Sequence, residues 1–171
     1  MNNNQLIGTN ANKELAIACQ KNNSNCCRKG KIFLPKQEWE NIKNWVNNNL
    51  PEVVNEFKER TIPYPTFYLY DQRNGCQFLS NNGSCQLHNE GVKPTECFWW
   101  PIHVYSGKDG QMEIRIATTC CDGCQSIRND QEFLEIVEKD AKRIGLDVIR
   151  QFRTIFPGGY HKYETIKVIK E

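Results

Sequence analysis

The chain has 171 residues, room for one domain and not comfortably two, and long enough to build a core without covalent staples. Its 22 basic and 20 acidic side chains nearly balance, for a formal charge of +2, so charge gives no signal for nucleic acid or an anionic membrane as partner. The nine cysteines are odd in number and cannot all pair within one chain, which argues against a disulfide framework.

In chain order, the Asn-rich residues 1–13 lack periodicity and read as a flexible arm, leaving 14–171 as the folded domain. They carry no basic run followed by an apolar run, so they do not read as a secretory signal. No stretch approaches the roughly 18 apolar residues of a membrane helix. The expectation is a reducing, cytoplasmic compartment, where clustered cysteines serve as ligands or catalytic groups. A short helix over Glu14–Ala18 would deliver Cys19, with a polar loop from Gln20 to Asn25 leading to Cys26 and Cys27. Ile32–Leu34 reads as a strand. Pro35 suits the first turn of a helix that runs to about Asn48, with Trp39, Ile42, Trp45 and Val46 at helical spacing. Pro51 opens a second helix carrying Val53, Val54 and Phe57, which Pro63 and Pro65 end, and the aromatic run Thr66–Tyr70 reads as a strand.

Residues 75–101 are dense in Cys and Gly without periodicity, as in a loop region organised by metal. Ile102–Tyr105 and Glu113–Ala117 predict a hairpin turning at Ser106–Gly110, and the second strand runs into Cys120, Cys121 and Cys124. Asn129 or Asp130 caps a helix through Arg143 with Phe133, Ile136 and Val137 inward, ended by Gly145. A last helix over Leu146–Phe156 breaks at Pro157, and Tyr163–Ile169 reads as a closing strand. The fold class expected is α+β: a small single domain with helices packed on a short antiparallel sheet and metal-organised cysteine loops.

The cysteines form three groups: Cys19, Cys26 and Cys27; Cys76, Cys85 and Cys97; and Cys120, Cys121 and Cys124. Thiolates suit zinc and iron, and both a structural zinc ion and an iron–sulfur cluster call for four ligands. Only Cys121-x2-Cys124 has the two-residue gap of a metal knuckle, with Gly123 easing the turn. Adjacent side chains diverge, so Cys26-Cys27 and Cys120-Cys121 serve different metals, or one of each pair is not a ligand. Buried structural thiols are the alternative, since cysteine is among the most buried residue types. Ligation would also leave the site anionic before metal arrives, a charge that Lys21, Arg28, Lys29 and Lys31 could offset unless they form only a solvated basic loop.

Three stretches carry a family likeness. Gly75-Cys76-Gln-Phe78-Leu79, Gly83-Ser-Cys85-Gln-Leu87-His88 and Lys93-Pro94-Thr-Glu-Cys97-Phe-Trp-Trp-Pro101 resemble the signature of the YkgJ-type cysteine-cluster family, described as a zinc- or iron-chelating domain. The family pattern is Gly-x-Cys-x-Phe-Leu, Cys-x-Ile-Tyr and Arg-Pro-x-x-Cys-Arg-x-Phe-Pro, after an upstream cluster ending in Cys-Cys. The resemblance spans about residues 19 to 124. This chain departs from it in the six residues between Cys19 and Cys26, in His88 for Tyr, in Lys93 for Arg, and in Phe98 for the Arg after the cysteine.

The resemblance implies a protein whose thiolates hold zinc or iron, as mononuclear sites or an iron–sulfur cluster, with all nine cysteines as candidate ligands. The metal ion is the expected partner, and a protein or peptide partner is compatible with it. A similar signature in flagellin lysine methylases makes the alternative an iron- or iron–sulfur-dependent enzyme that modifies a peptide or small molecule, or does redox chemistry. Against that, the chain has no glycine-rich strand-to-helix turn for S-adenosylmethionine. Among the three histidines, His88 reads as a surface histidine or one supporting a ligand, His103 as a hydrogen-bonded core residue, and His161 carries no signal.

Overall fold

The computed structural model describes residues 17–18, 20–21, 24–119, 127–157 and 161–170. The α+β class holds, built as two compact units, residues 24–98 and residues 99–170, each with its own three-stranded antiparallel sheet. One sheet was expected. Two arise because Ile32–Leu34 and the aromatic run pair with each other, while the predicted hairpin pairs with the closing strand.

In the first unit, β1 (Lys31–Pro35) runs straight into helix α1 (Lys36–Asn49). Pro35 makes that junction possible: its φ of −50° and ψ of 147° finish a strand, and it gives up no hydrogen bond needed by the helix. Ile42 and Val46, one turn apart, are buried, and Trp39 stacks on Tyr68 at 4.3 Å. A 3-10 turn at Pro51–Val53 leads into α2 (Val54–Glu59), whose Phe57 is fully buried against Trp39, Tyr70 and Phe78. Sheet order is β1-β3-β2, with β2 at Thr61–Pro63 and β3 at Phe67–Asp71, and the register sets Phe33 and Ile62 opposite Leu69. Strand β2 was not expected, since Pro63 reads as a terminator; on a short edge strand a proline costs the ladder little. Leu34, Ile42, Val46, Phe57, Tyr70, Phe78 and Leu87 form the core, with Cys76 and Cys85 packed at its margin.

The second unit pairs β4 (Ile102–Ser106) with β5 (Met112–Ala117), and β5 with β6 (Tyr163–Val168). Between β4 and β5, Gly110 takes φ +84°, and Gly107 lies so close to the Glu113 carboxylate that a Cβ would collide with it. Helix α4 (Gln131–Ile144) packs on β5 and α5 (Leu146–Ile155) on β4. Asp130 caps α4 by accepting from the Phe133 N–H at 3.0 Å, and Gly145, at φ +104°, separates the two helices. The face of α4 that is buried carries Phe133, Leu134, Val137 and Ala141; Ile136, expected inward, is only half-buried. A short helix, α3 (Thr95–Trp99), precedes β4 in the chain. No helix among the described residues is long and apolar enough to cross a membrane. The arm expected over residues 1–13 lies outside the described residues. Of the expected 14–18 helix, Ile17 and Ala18 are described and helical, as are Gln20 and Lys21, which were expected in a loop.

Candidate metal centre

Five cysteines fall within the described residues, and all belong to the first unit: Cys26, Cys27, Cys76, Cys85 and Cys97. Cys19, Cys120, Cys121 and Cys124 lie outside the described residues. Each of the five keeps part of its surface exposed.

The segments that carry them are tied together by the backbone. Cys26 and Cys27 sit in a 3-10 turn (Asn25–Arg28) after Ser24, which takes the left-handed conformation at φ 49°. The buried Ser24 hydroxyl donates to the Gly83 carbonyl at 2.5 Å, joining this turn to the loop before Cys85. The Cys76 N–H donates to the Cys27 carbonyl at 2.7 Å. Ahead of Cys76, Asn74 and Gly75 both take positive φ, and Arg60 Nη1 donates to the carbonyls of Arg73 (3.2 Å) and Gly75 (2.6 Å), which holds the turn that delivers the thiol. Leu79 and Cys85 form an isolated antiparallel bridge, and the Gln86 N–H donates to the Phe78 carbonyl at 2.9 Å. Cys97 lies in α3 (Thr95–Trp99), a short helix inside the stretch expected to be irregular; the Pro94 carbonyl accepts its N–H at 3.0 Å.

Four of the thiols share one electrostatic neighbourhood. Burial pushes Cys97 well above its ordinary pKa, and negative charge on Cys27, Cys85 or Cys76 would raise it further, while Lys93 opposes the shift. Burial likewise pushes Cys76 up to about 12, against the Phe78 N–H that favours its thiolate, and charge on Cys85 and Cys27 adds to the rise. Cys27 acts on both. The Tyr70 hydroxyl points to Cys76 Sγ at 3.9 Å and accepts from the Gln77 N–H at 3.3 Å; burial, then Cys76, raises its own pKa. Such a set of soft sulfur donors, with a peptide N–H and a phenol directed at one of them, suits zinc, iron or an iron–sulfur cluster. Among the described residues no group of three or more His, Cys, Asp or Glu is spaced to hold a metal ion. Ligation therefore requires these thiols to close to about 2.3 Å from one ion.

Lys21, Arg28, Lys29 and Lys31 are the bases expected either to offset thiolate charge or to form a solvated basic loop. All four are exposed, and Lys31 joins Arg73 in holding Asp71 below its usual range against the effect of its burial. Lys93 favours the Cys97 thiolate, and its Nζ also stands 3.2 Å from His88 Nδ1. Burial and then Lys93 hold His88 below its usual pKa. In the second unit His103 is buried on β4 with Nδ1 3.0 Å from Arg153 Nη2, the hydrogen-bonded core histidine expected, and His161 stands edge-on to Trp100.

Two carboxylates near Cys97 had left no mark in the sequence. Glu38, on α1, is buried, and its carboxylate accepts from both the N–H and the hydroxyl of Thr95, the first residue of α3. Glu96, also buried, accepts from the Phe33 N–H of edge strand β1 at 2.6 Å. Comparison with protein-family models, with curated proteins and with solved structures returned no match.

Proposed function

We propose that the chain is a metal-binding protein in which Cys27, Cys76, Cys85 and Cys97 hold zinc or iron as thiolates, within a cytoplasmic compartment that keeps them reduced. The observation that carries this reading is that backbone bonds tie the Cys27, Cys76 and Cys85 segments to one another, and that all three thiols act electrostatically on Cys97, up to 70 residues away in sequence. Thiols that burial holds protonated repel one another once ionised, and a divalent cation is the natural counter-charge. The resemblance of residues 75–101 to the YkgJ-type signature supports the same reading.

In this account the metal serves structure or storage. Cys76 and Cys85 sit at the edge of an apolar core, so ligation would clamp the cysteine loops onto that core and add binding free energy to folding. The test is metal content in five single Cys→Ser variants purified without oxygen. Substitution at Cys27, Cys76, Cys85 or Cys97 should lower bound metal, while Cys26→Ser leaves it at the wild-type level. Unchanged stoichiometry in all four would remove the site.

A further inference from the structure

Cys97 differs from the other three thiols in how its backbone is held. Cys27, Cys76 and Cys85 lie on loops that bond to one another, whereas Cys97 rides on α3, one turn long and too short to be stable alone. Its first turn is fixed from outside. The Thr95 N–H, which has no partner within the helix, reaches Glu38 Oε2 at 2.9 Å, and the Thr95 hydroxyl donates to the other oxygen of the same carboxylate. Glu38 is 57 residues away in sequence and only 7% exposed, on a helix whose Ile42 and Val46 are locked in the core. One residue on, Glu96 ties the same turn to β1 through the Phe33 N–H. Burying a carboxylate is costly unless it is well hydrogen-bonded, so two of them around one five-residue helix mark a position that is held deliberately.

We propose that Glu38, acting through Thr95, is the positioning residue that sets the Cys97 thiol for metal ligation, an inference that rests on the metal-binding reading above. The carboxylate transmits the rigid placement of α1 to the first turn of α3, two residues before the ligand. Outer partners of this kind are worth about ten- to a hundredfold in metal affinity when removed.

The test uses the full chain loaded with Co(II) under anaerobic conditions. The thiolate-to-cobalt charge-transfer band reports ligation, and transfer to a chromophoric chelator reports release. Thr95→Val and Glu38→Gln should release cobalt about ten- to a hundredfold faster, with a weakened or shifted band, at unchanged far-ultraviolet circular dichroism. Thr95→Ser, which keeps the hydroxyl, should restore the wild-type rate and band. Should Glu38→Gln fail to fold, Glu38→Asp, which shortens the reach by one methylene, decides the question: faster release supports the proposal and unchanged release overturns it. Folded variants that release cobalt at the wild-type rate overturn positioning while leaving the metal reading intact. A wild-type chain without a thiolate-to-cobalt band removes both.

Discussion

Metal binding at this site should be steeply pH-dependent, and the slope counts the ligands. Cys97 and Cys76 are pushed above their ordinary values by burial and by the thiols around them, Cys76 to about 12 from 9.0. At neutral pH Cys76 and Cys97 are therefore protonated in the metal-free fold, and every thiol that ligates must be deprotonated. Four thiolates on one ion release four protons, so the association constant should rise about 10⁴-fold per pH unit, equivalent to about 5 kcal/mol per unit. The sign is fixed by the direction of the shifts: affinity grows with pH throughout the range below the thiol pKa values. Zinc competition against a chromophoric chelator from pH 6 to pH 7.5, after correction for the chelator's own protonation, gives the slope, and indicator-dye proton release checks it independently. Cys97→Ser should lower the slope by about one, and Cys26→Ser should leave it unchanged. A wild-type slope of one or less would refute the four-thiolate site.

Phe57→Ala empties the centre of the first unit's aromatic packing and should cost about 3–5 kcal/mol in denaturant unfolding. Gly145→Ala puts a side chain at φ +104° but meets nothing closer than Val148 Cγ2 at 3.5 Å, so backbone strain alone should destabilise the helix pair by about 1–3 kcal/mol in a thermal melt. Hydrogen bonds from Lys167 and Lys142 hold Glu138 below the usual carboxylate range. Its contribution is present above the unfolded value of about 4.3 and lost as pH falls through the lower folded one, so Glu138→Gln should flatten the acid limb of the stability profile.

Much of the architecture was legible because one periodicity at a time dominates each stretch. Ile42 and Val46 at helical spacing give α1, and the alternation of Ile102, Val104, Ile114 and Ile116 gives the β4–β5 hairpin with its Gly-rich turn. Strand β2 was hidden because three residues ending in proline carry no pattern and are held by pairing with β3. Helix α3 was hidden because its start is fixed by Glu38, far away in sequence, rather than by a residue of its own segment. Cys76, Cys85 and Cys97 fall into one group by spacing alone. The electrostatic influence of Cys27 on Cys76 and Cys97 could not be read there, because it depends on where the backbone turns the residue rather than on its neighbours in sequence. Glu38 gave no signal in the sequence, because a hydrogen bond across 57 residues leaves no local trace.

The central claim is tested most directly by elemental analysis and a visible spectrum of the wild-type chain purified without oxygen. The purified chain should hold zinc or iron in near-integral ratio to protein. A colourless zinc protein would mark a mononuclear thiolate site, and a brown iron protein with acid-labile sulfide would mark a cluster. Protein that retains no metal, and takes up neither ion when it is offered, would contradict that claim.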